Sequence, residues 1–141
     1  MKLGIIFTGG TIGSQLAADG YLSLAEQTTY LLLQGAEERG FLKGVTVIAS
    51  EPLHLFSEQM TGESLSLLVN HVRQRILTED CDGWILLHGS DTLAYTAAVL
   101  GYALGTDLTP LVLVASNEPL TNPAANGWSN FAYAVRFLQE Q

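Results

Sequence analysis

The sequence predicts an α/β protein, a three-layer α/β/α sandwich around a mainly parallel, flavodoxin/Rossmann-like sheet. Three observations carry that expectation. Short apolar runs alternate along the chain with longer segments of helical period. The short runs show no polar alternation, which suits strands covered on both faces and hence parallel pairing. No linker, low-complexity tract or charge block interrupts the pattern, so residues 1–141 are expected to form one domain.

The elements follow in order. Leu3–Phe7 is apolar and ends at glycines, which reads as a buried strand. Glu26–Arg39 has Thr28, Leu31, Leu32 and Gly35 on one helical face and Gly40 as a C-terminal stop. Val45–Ala49 is a β-branched strand. Thr61–Leu77 is the clearest helix, with Leu65, Leu68, Val69, Val72 and Ile76 in a stripe and Thr61 as N-cap. Trp84–Leu87 is the third strand, and Asp91–Leu104 a helix with Leu93, Ala97, Leu100 and Leu104 inward. Leu111–Val114 is the last strand. Ser129–Leu138 is a short last helix with Phe131, Val135 and Leu138 inward.

Composition narrows the function classes. The chain has 141 residues and a mass of 15.2 kDa, enough for a core without disulfides or metals. Apolar residues make up 48% and charged residues 14%, the reverse of a disordered chain. Six basic against 14 acidic residues give a net charge of −8, which argues against nucleic acid and anionic membrane surfaces as partners. The apolar runs are too short to span a bilayer. Met1 and Lys2 lead straight into a strand with no signal peptide in view, and Cys81 is the only cysteine, so a cytoplasmic location is expected.

Ligands of parallel α/β folds bind beyond the carboxyl ends of the strands, so the loops there are the candidates for chemistry. The first is Thr8-Gly9-Gly10-Thr11-Ile12-Gly13-Ser14. Adjacent glycines let backbone approach a ligand and expose N–H groups, and Thr11 follows with a hydroxyl. The spacing matches neither the dinucleotide pattern nor a Walker loop, and a plain glycine turn is the competing reading. His88-Gly89-Ser90-Asp91-Thr92 repeats the plan of strand, glycine, hydroxyl and helix. Alone, Ser90 or Asp91 would be an ordinary N-cap. Together the two loops gather Thr11, Ser90 and Asp91 around one crevice, which suits attack by a hydroxyl with N–H groups as an oxyanion hole.

Ser57-Glu58-Gln59-Met60 adds a hydroxyl, a carboxylate and an amide fit to clamp an amino acid, against the alternative of a capping segment. Ile12–Leu24 reads as a mobile flap carrying Tyr21, unless that tyrosine simply packs. His54, His71 and His88 lack metal-ligand spacing. His71 is expected in solvent and His88 as a hydrogen-bonded core residue.

Thr8-Gly9-Gly10-Thr11-Ile12 resembles the first signature of the bacterial-type L-asparaginases, and His88-Gly89-Ser90-Asp91-Thr92 resembles their second. Ser57–Met60 lies where that family has its substrate-binding serine loop, and Pro119–Asn130 echoes its fourth loop, so the resemblance runs along almost the whole chain. It implies hydrolysis of the side-chain amide of asparagine, and often glutamine, with no metal or organic cofactor. By the same resemblance Thr11 is the nucleophile and Tyr21 its partner from the flap. Ser57 and Glu58 hold the α-groups of the substrate, with Gly10 and Gly89 beside it. Ser90 stands where the family has a second catalytic threonine, and Asp91 on the signature aspartate.

The chain departs from the family at three points. Serine replaces threonine at Ser90, and Ser116-Asn117-Glu118-Pro119 replaces a methionine-arginine pair before proline. The family lysine and smaller C-terminal domain have no counterpart here, since the only lysines are Lys2 and Lys43. The chain reads either as a fragment or as a compact variant that works without those parts, and the runner-up function is an amino-acid-binding domain that keeps the pocket without turnover. A third, a nucleotide-binding module, finds no basic residue near Gly9 or Gly89. A homo-oligomer is expected from the low charged fraction and from Leu53, Leu55, Phe56, Trp128 and Tyr133 in loops or near element ends.

Overall fold

The computed structural model describes residues 1–24, 28–105 and 109–141. Strands β1 (Lys2–Phe7), β4 (Thr46–Ser50), β5 (Gly83–Leu87) and β6 (Leu111–Val114) form a four-stranded sheet in the order β4-β1-β5-β6. Every pairing in it is parallel: Leu3 opposes Val47 and Gly83, and Trp84 opposes Leu111. Helices α1 (Thr28–Glu38), α2 (Gly62–Thr78), α3 (Leu93–Leu104) and α4 (Gly127–Gln139) complete the three layers.

The period-2 alternation of the strands builds two cores. Leu3, Ile5, Phe7, Ile85 and Leu87 face α1 and α4, where they meet Leu32, Ala36, Phe131, Val135 and Leu138. Ile6, Trp84 and Leu86 face α2 and α3, against Leu68, Val72, Ile76 and Leu100. Full burial of each such side chain contributes about 1.5–3 kcal/mol. Gly4 makes room for the largest of them, because a Cβ there would overlap the Trp84 indole.

Several expectations need correction. The two central strands are covered on both faces, but β4 and β6 are half-covered edge strands, and Thr46 and Ala49 are exposed. Each edge strand has a neighbour on one side only. The helix expected from Glu26 is seen from Thr28, and the Glu26 start and the Thr28 side chain lie outside the described residues. On that helix Leu31 is 53% exposed, so the inward face is Leu32, Gly35 and Ala36. Gly40 does end the helix region, at φ 73°. The expected flap contains a β-hairpin, β2 (Ser14–Leu16) against β3 (Leu22–Leu24), turning at Asp19-Gly20. Asp19 Oδ1 accepts the Tyr21 N–H at 3.1 Å, and Gly20 takes φ 84°. His71 is not free in solvent: its Nε2 lies 2.9 Å from Ser50 Oγ at the end of β4. Of the apolar residues expected to need a partner subunit, Leu53 and Trp128 pack on the cores, while Leu55 and Phe56 are half-buried. Only Tyr133 of the five is exposed.

From β1 the chain passes through α1 to β4 on one side, and from β4 through α2 to β5 on the other. The order therefore reverses between β1 and β5, and the crevice beyond their carboxyl ends is where such sheets hold ligands.

Candidate active site

The loops after β1, β4 and β5 are stitched together at that reversal point. Gly9 and Gly10 adopt φ 96° and 73°, conformations that an L side chain avoids. The turn they make lets Gly10 N–H donate to Leu55 O at 2.9 Å, while Leu55 N–H donates to Thr8 O at 3.1 Å. A Cβ on Gly10 would lie 2.5 Å from Gly89 Cα, and one on Gly89 would meet Ser57 Oγ. The three loops thus touch backbone to backbone, and any side chain at these glycines would push them apart. Thr92 Oγ1 adds a bond to Ser57 O at 2.9 Å.

Thr11 follows the glycines at the start of a short 3₁₀ turn, Thr11–Gly13, and is half-buried. Its carbonyl accepts Ser14 Oγ at 2.8 Å, which ties the turn to the first residue of β2. Ser57 opens a second 3₁₀ turn, Ser57–Gln59, and is 3% exposed. Gln59 Oε1 accepts Phe56 N–H at 3.2 Å, so this amide oxygen shapes the loop. Glu58 projects outward from the same turn and is exposed.

The reading of Ser90 or Asp91 as a helix cap does not hold. Helix α3 begins at Leu93, its N-cap is Thr92, and no side chain caps it. Ser90 and Asp91 are exposed on the preceding turn, where Ser90 Oγ donates to Asp91 Oδ1 at 3.4 Å. The N–H groups of Thr11, Gly89 and Ser90 donate to no protein group among the described residues. Gly10 N–H, by contrast, is taken by Leu55 and is not available to a ligand.

Beneath this turn lies a buried chain of hydrogen bonds. His88 is fully buried, with Nδ1 2.7 Å from Gly89 O and Nε2 3.0 Å from Thr96 Oγ1. A carbonyl only accepts, so Nδ1 carries the proton and Nε2 accepts from Thr96. Burial pushes the His88 pKa down, which keeps the ring neutral. The core histidine expected from the sequence is therefore also what fixes the Gly89 peptide.

Gly10, Thr11, Ser57, Glu58, Gly89, Ser90 and Asp91 line one cleft, and Phe56 completes its wall. Its volume is about 20 Å³, the floor of a site rather than an enclosure for an amino acid. Tyr21 is not part of it. The residue sits at the hairpin turn, 76% exposed. Both lysines lie at the far side of the sheet, Lys2 at the amino end of β1 and Lys43 in the turn before β4.

Phe56 and a neighbouring groove were not legible in the sequence. The groove, about 690 Å³, runs from Ser90 along β6 to α4, past Asn117 and Asn126. These two asparagines exchange bonds, Asn117 N–H to Asn126 Oδ1 at 2.9 Å and Asn126 N–H to Asn117 Oδ1 at 3.0 Å. Nothing in their spacing announces this, because the pair closes a loop whose course is set by α4. Among the described residues no group of three His, Cys, Asp or Glu side chains is placed to hold a metal ion. Nor is any helix among them long and apolar enough to cross a membrane.

L-asparaginase 1 of Escherichia coli strain K12 is 30% identical over 132 residues, which is 93% of this chain and 38% of that protein. The L-asparaginase of Thermococcus kodakarensis is 29% identical over 140 residues, covering 99% of this chain and 41% of that one. The solved structure of the thermostable T. kodakarensis enzyme superposes with a TM-score of 0.78, at 28% identity, over 99% of this chain and 41% of that one. The structure of L-asparaginase I from Vibrio cholerae gives 0.76, at 28% identity, over 97% and 40%. The chain therefore spans about two-fifths of the length of the curated relatives it matches. Residues 2–141 match the family model described as asparaginase, N-terminal, and the chain belongs to that family.

Proposed function

We propose that residues 1–141 act as one asparaginase N-terminal-like domain, the nucleophile-bearing part of an amidohydrolase that releases ammonia from asparagine, with glutamine as the second substrate. The observation that carries this reading is the convergence of seven residues from three separate loops on one cleft at the sheet's reversal point. Thr11 Oγ attacks the side-chain amide carbon of the substrate. The C–N bond breaks, ammonia leaves with the hydroxyl proton, and an ester joins Thr11 to the acyl group. Water then cleaves the ester, giving the free acid and restoring the hydroxyl. The unengaged N–H groups of Gly89 and Ser90 are the donors available as charge builds on the carbonyl oxygen. Ser57 and Glu58 hold the α-carboxylate and α-ammonium groups, and Gly10 keeps the floor low enough for the substrate to approach. Ser90 with Asp91 forms the second polar pair of the reaction, and Tyr21 joins when the hairpin folds over the cleft. The reaction needs no cofactor. A cytoplasmic, homo-oligomeric protein with a small amino-acid amide as its ligand, and neither nucleic acid nor membrane, completes the reading.

A second reading has an observation of its own. Among the described residues the lining of the cleft includes no lysine or arginine. An amino-acid-binding domain without turnover fits that fact. Ammonia release and calorimetric binding, both measured with asparagine and glutamine on the purified chain, separate the two. Turnover supports the amidohydrolase, binding alone supports the second reading, and neither binding nor turnover contradicts both.

A further inference from the structure

Helix α1, the start of α4 and the loop before it leave a pocket between them, apart from the cleft at Thr11. Ile12, Leu31, Leu32, Leu120 and Trp128 give it apolar walls, and Arg39 stands among them. Its volume is about 390 Å³, within the range of small-molecule sites, whereas the cleft has about 20 Å³. Leu31, the exposed leucine of α1, lines this pocket and no core. The groove along β6 is larger, but among the described residues its lining holds no charged side chain. The aromatic wall is fixed in advance. Trp128 Nε1–H donates to Leu120 O at 3.1 Å. Gly35 lets the ring lie against α1, because a Cβ there would come within 2.5 Å of Trp128 Cη2. The Arg39 guanidinium lies 4.0 Å from the ring centroid, and its Nη1 donates to Gly35 O at 3.0 Å. Among the described residues that carbonyl is its one hydrogen-bond acceptor, and no carboxylate pairs with it. The neighbouring Glu38 accepts instead from Gln34 Nε2, at 2.9 Å. A guanidinium held by an aromatic face keeps its remaining N–H donors for a planar acceptor.

We propose that this pocket is a second ligand site, one that takes a small monocarboxylate with an apolar body, such as an arylalkanoic acid. The carboxylate accepts from Arg39, which is exposed at the rim. The hydrocarbon part displaces water from Trp128, Leu31 and Leu120. Charge and polarity select this class. One guanidinium matches one carboxylate, and a second negative charge would lie against leucine in a chain of net −8. A free amino acid would bring its ammonium group against the same apolar walls or toward the guanidinium. A pure hydrocarbon would leave the guanidinium donors unused. The occupant also reaches the hairpin. Ser14 and Gln15, the first residues of β2, line the pocket, and Ser14 Oγ donates to the Thr11 carbonyl at 2.8 Å. A ligand here thus contacts the element that carries Tyr21, one hydrogen bond from Thr11.

The site stands apart from the amidohydrolase reading, and its test needs no turnover. Titration calorimetry with phenylacetate, followed in parallel by amide and indole N–H NMR, decides it. Phenylacetate should bind, and phenylethanol, which lacks the charge, at least ~10-fold more weakly. Acetate, which lacks the apolar body, should also lose ~10-fold or more. Arg39→Gln should lower the affinity for phenylacetate to that for phenylethanol. It should keep the parent's far-UV dichroism, because Arg39 is exposed. Binding should shift the indole N–H resonance of Trp128 and the amide of Ser14. The indole of Trp84, fully buried in the other core, should stay in place. Equal affinity for phenylacetate and phenylethanol, unchanged binding in Arg39→Gln, or shifts that miss Trp128 overturn the assignment. So does the absence of phenylacetate binding at millimolar concentration.

Discussion

Gly10 and Gly89 meet backbone to backbone, and that contact sets how closely the Thr11 and Ser90 loops approach. Gly10→Ala adds a Cβ 2.5 Å from Gly89 Cα at a φ of 73°. Gly20 shares the positive φ, but a Cβ there meets nothing within 4 Å. The pair separates strain from collision. Gly20→Ala should cost about 1 kcal/mol, and Gly10→Ala roughly 2 kcal/mol more, read from urea midpoints. Asp91 gives the complementary case. Since α3 is capped at Thr92, Asp91→Ala should change stability by less than about 0.5 kcal/mol, not the ~1 kcal/mol of a lost cap. Asp91→Asn should nevertheless lose at least ~10-fold in kcat/KM for asparagine. Unchanged kinetics would remove Asp91 from the site.

The buried and half-buried histidines make stability depend on pH. Burial lowers the pKa of His88, and burial with the Arg75 charge lowers that of His71. Both groups bind protons more weakly folded than unfolded, so their contribution is fully present above the unfolded value, about 6.5. It is lost as pH falls from there toward the lowered values. Urea unfolding at pH 7.5 and pH 5.5 should show lower stability at the acid end. His88→Asn should shrink the difference, leaving the part that His71 and the carboxylates contribute. An equal drop in the variant would place the dependence elsewhere.

At the scale of elements, the hairpin of β2 and β3 is the part least like its sequence. Ile12–Leu24 was readable only as a flap carrying Tyr21, because Ser14–Leu16 and Leu22–Leu24 are too short for a two-residue period to stand out. The longer elements were readable because their periods run for three or more turns, as in Leu68, Val72 and Ile76 of α2. The hairpin holds Tyr21 away from the cleft, so the tyrosine contributes only if this element folds down. Tyr21→Phe should then lower kcat for asparagine by at least ~10-fold. The unfolding midpoint should stay unchanged, because the side chain is exposed. Equal kcat in the variant would make Tyr21 a surface residue.

At the scale of the molecule, the candidate cleft lies where the strand order reverses between β1 and β5. Glycine-hydroxyl sequences at Gly10-Thr11 and Gly89-Ser90 were legible as a pair, and the fold brings them into contact. What the sequence did not disclose depends on contacts between distant segments. The Gly10 N–H is taken by Leu55, the Gly89 carbonyl is held by His88, and Ser90 and Asp91 are released from capping by Thr92. The edge strands were overestimated for the same reason, since a run such as Leu111–Val114 reads alike at the centre and at the rim.

The central claim is that this cleft performs acyl transfer from an amide through Thr11. Intact-mass spectrometry of the chain, quenched during turnover of asparagine, tests it most directly. The account predicts an added aspartyl group that maps to the peptide bearing Thr11 and is absent in Thr11→Val. An adduct that persists in Thr11→Val, or maps to Ser90, would contradict it.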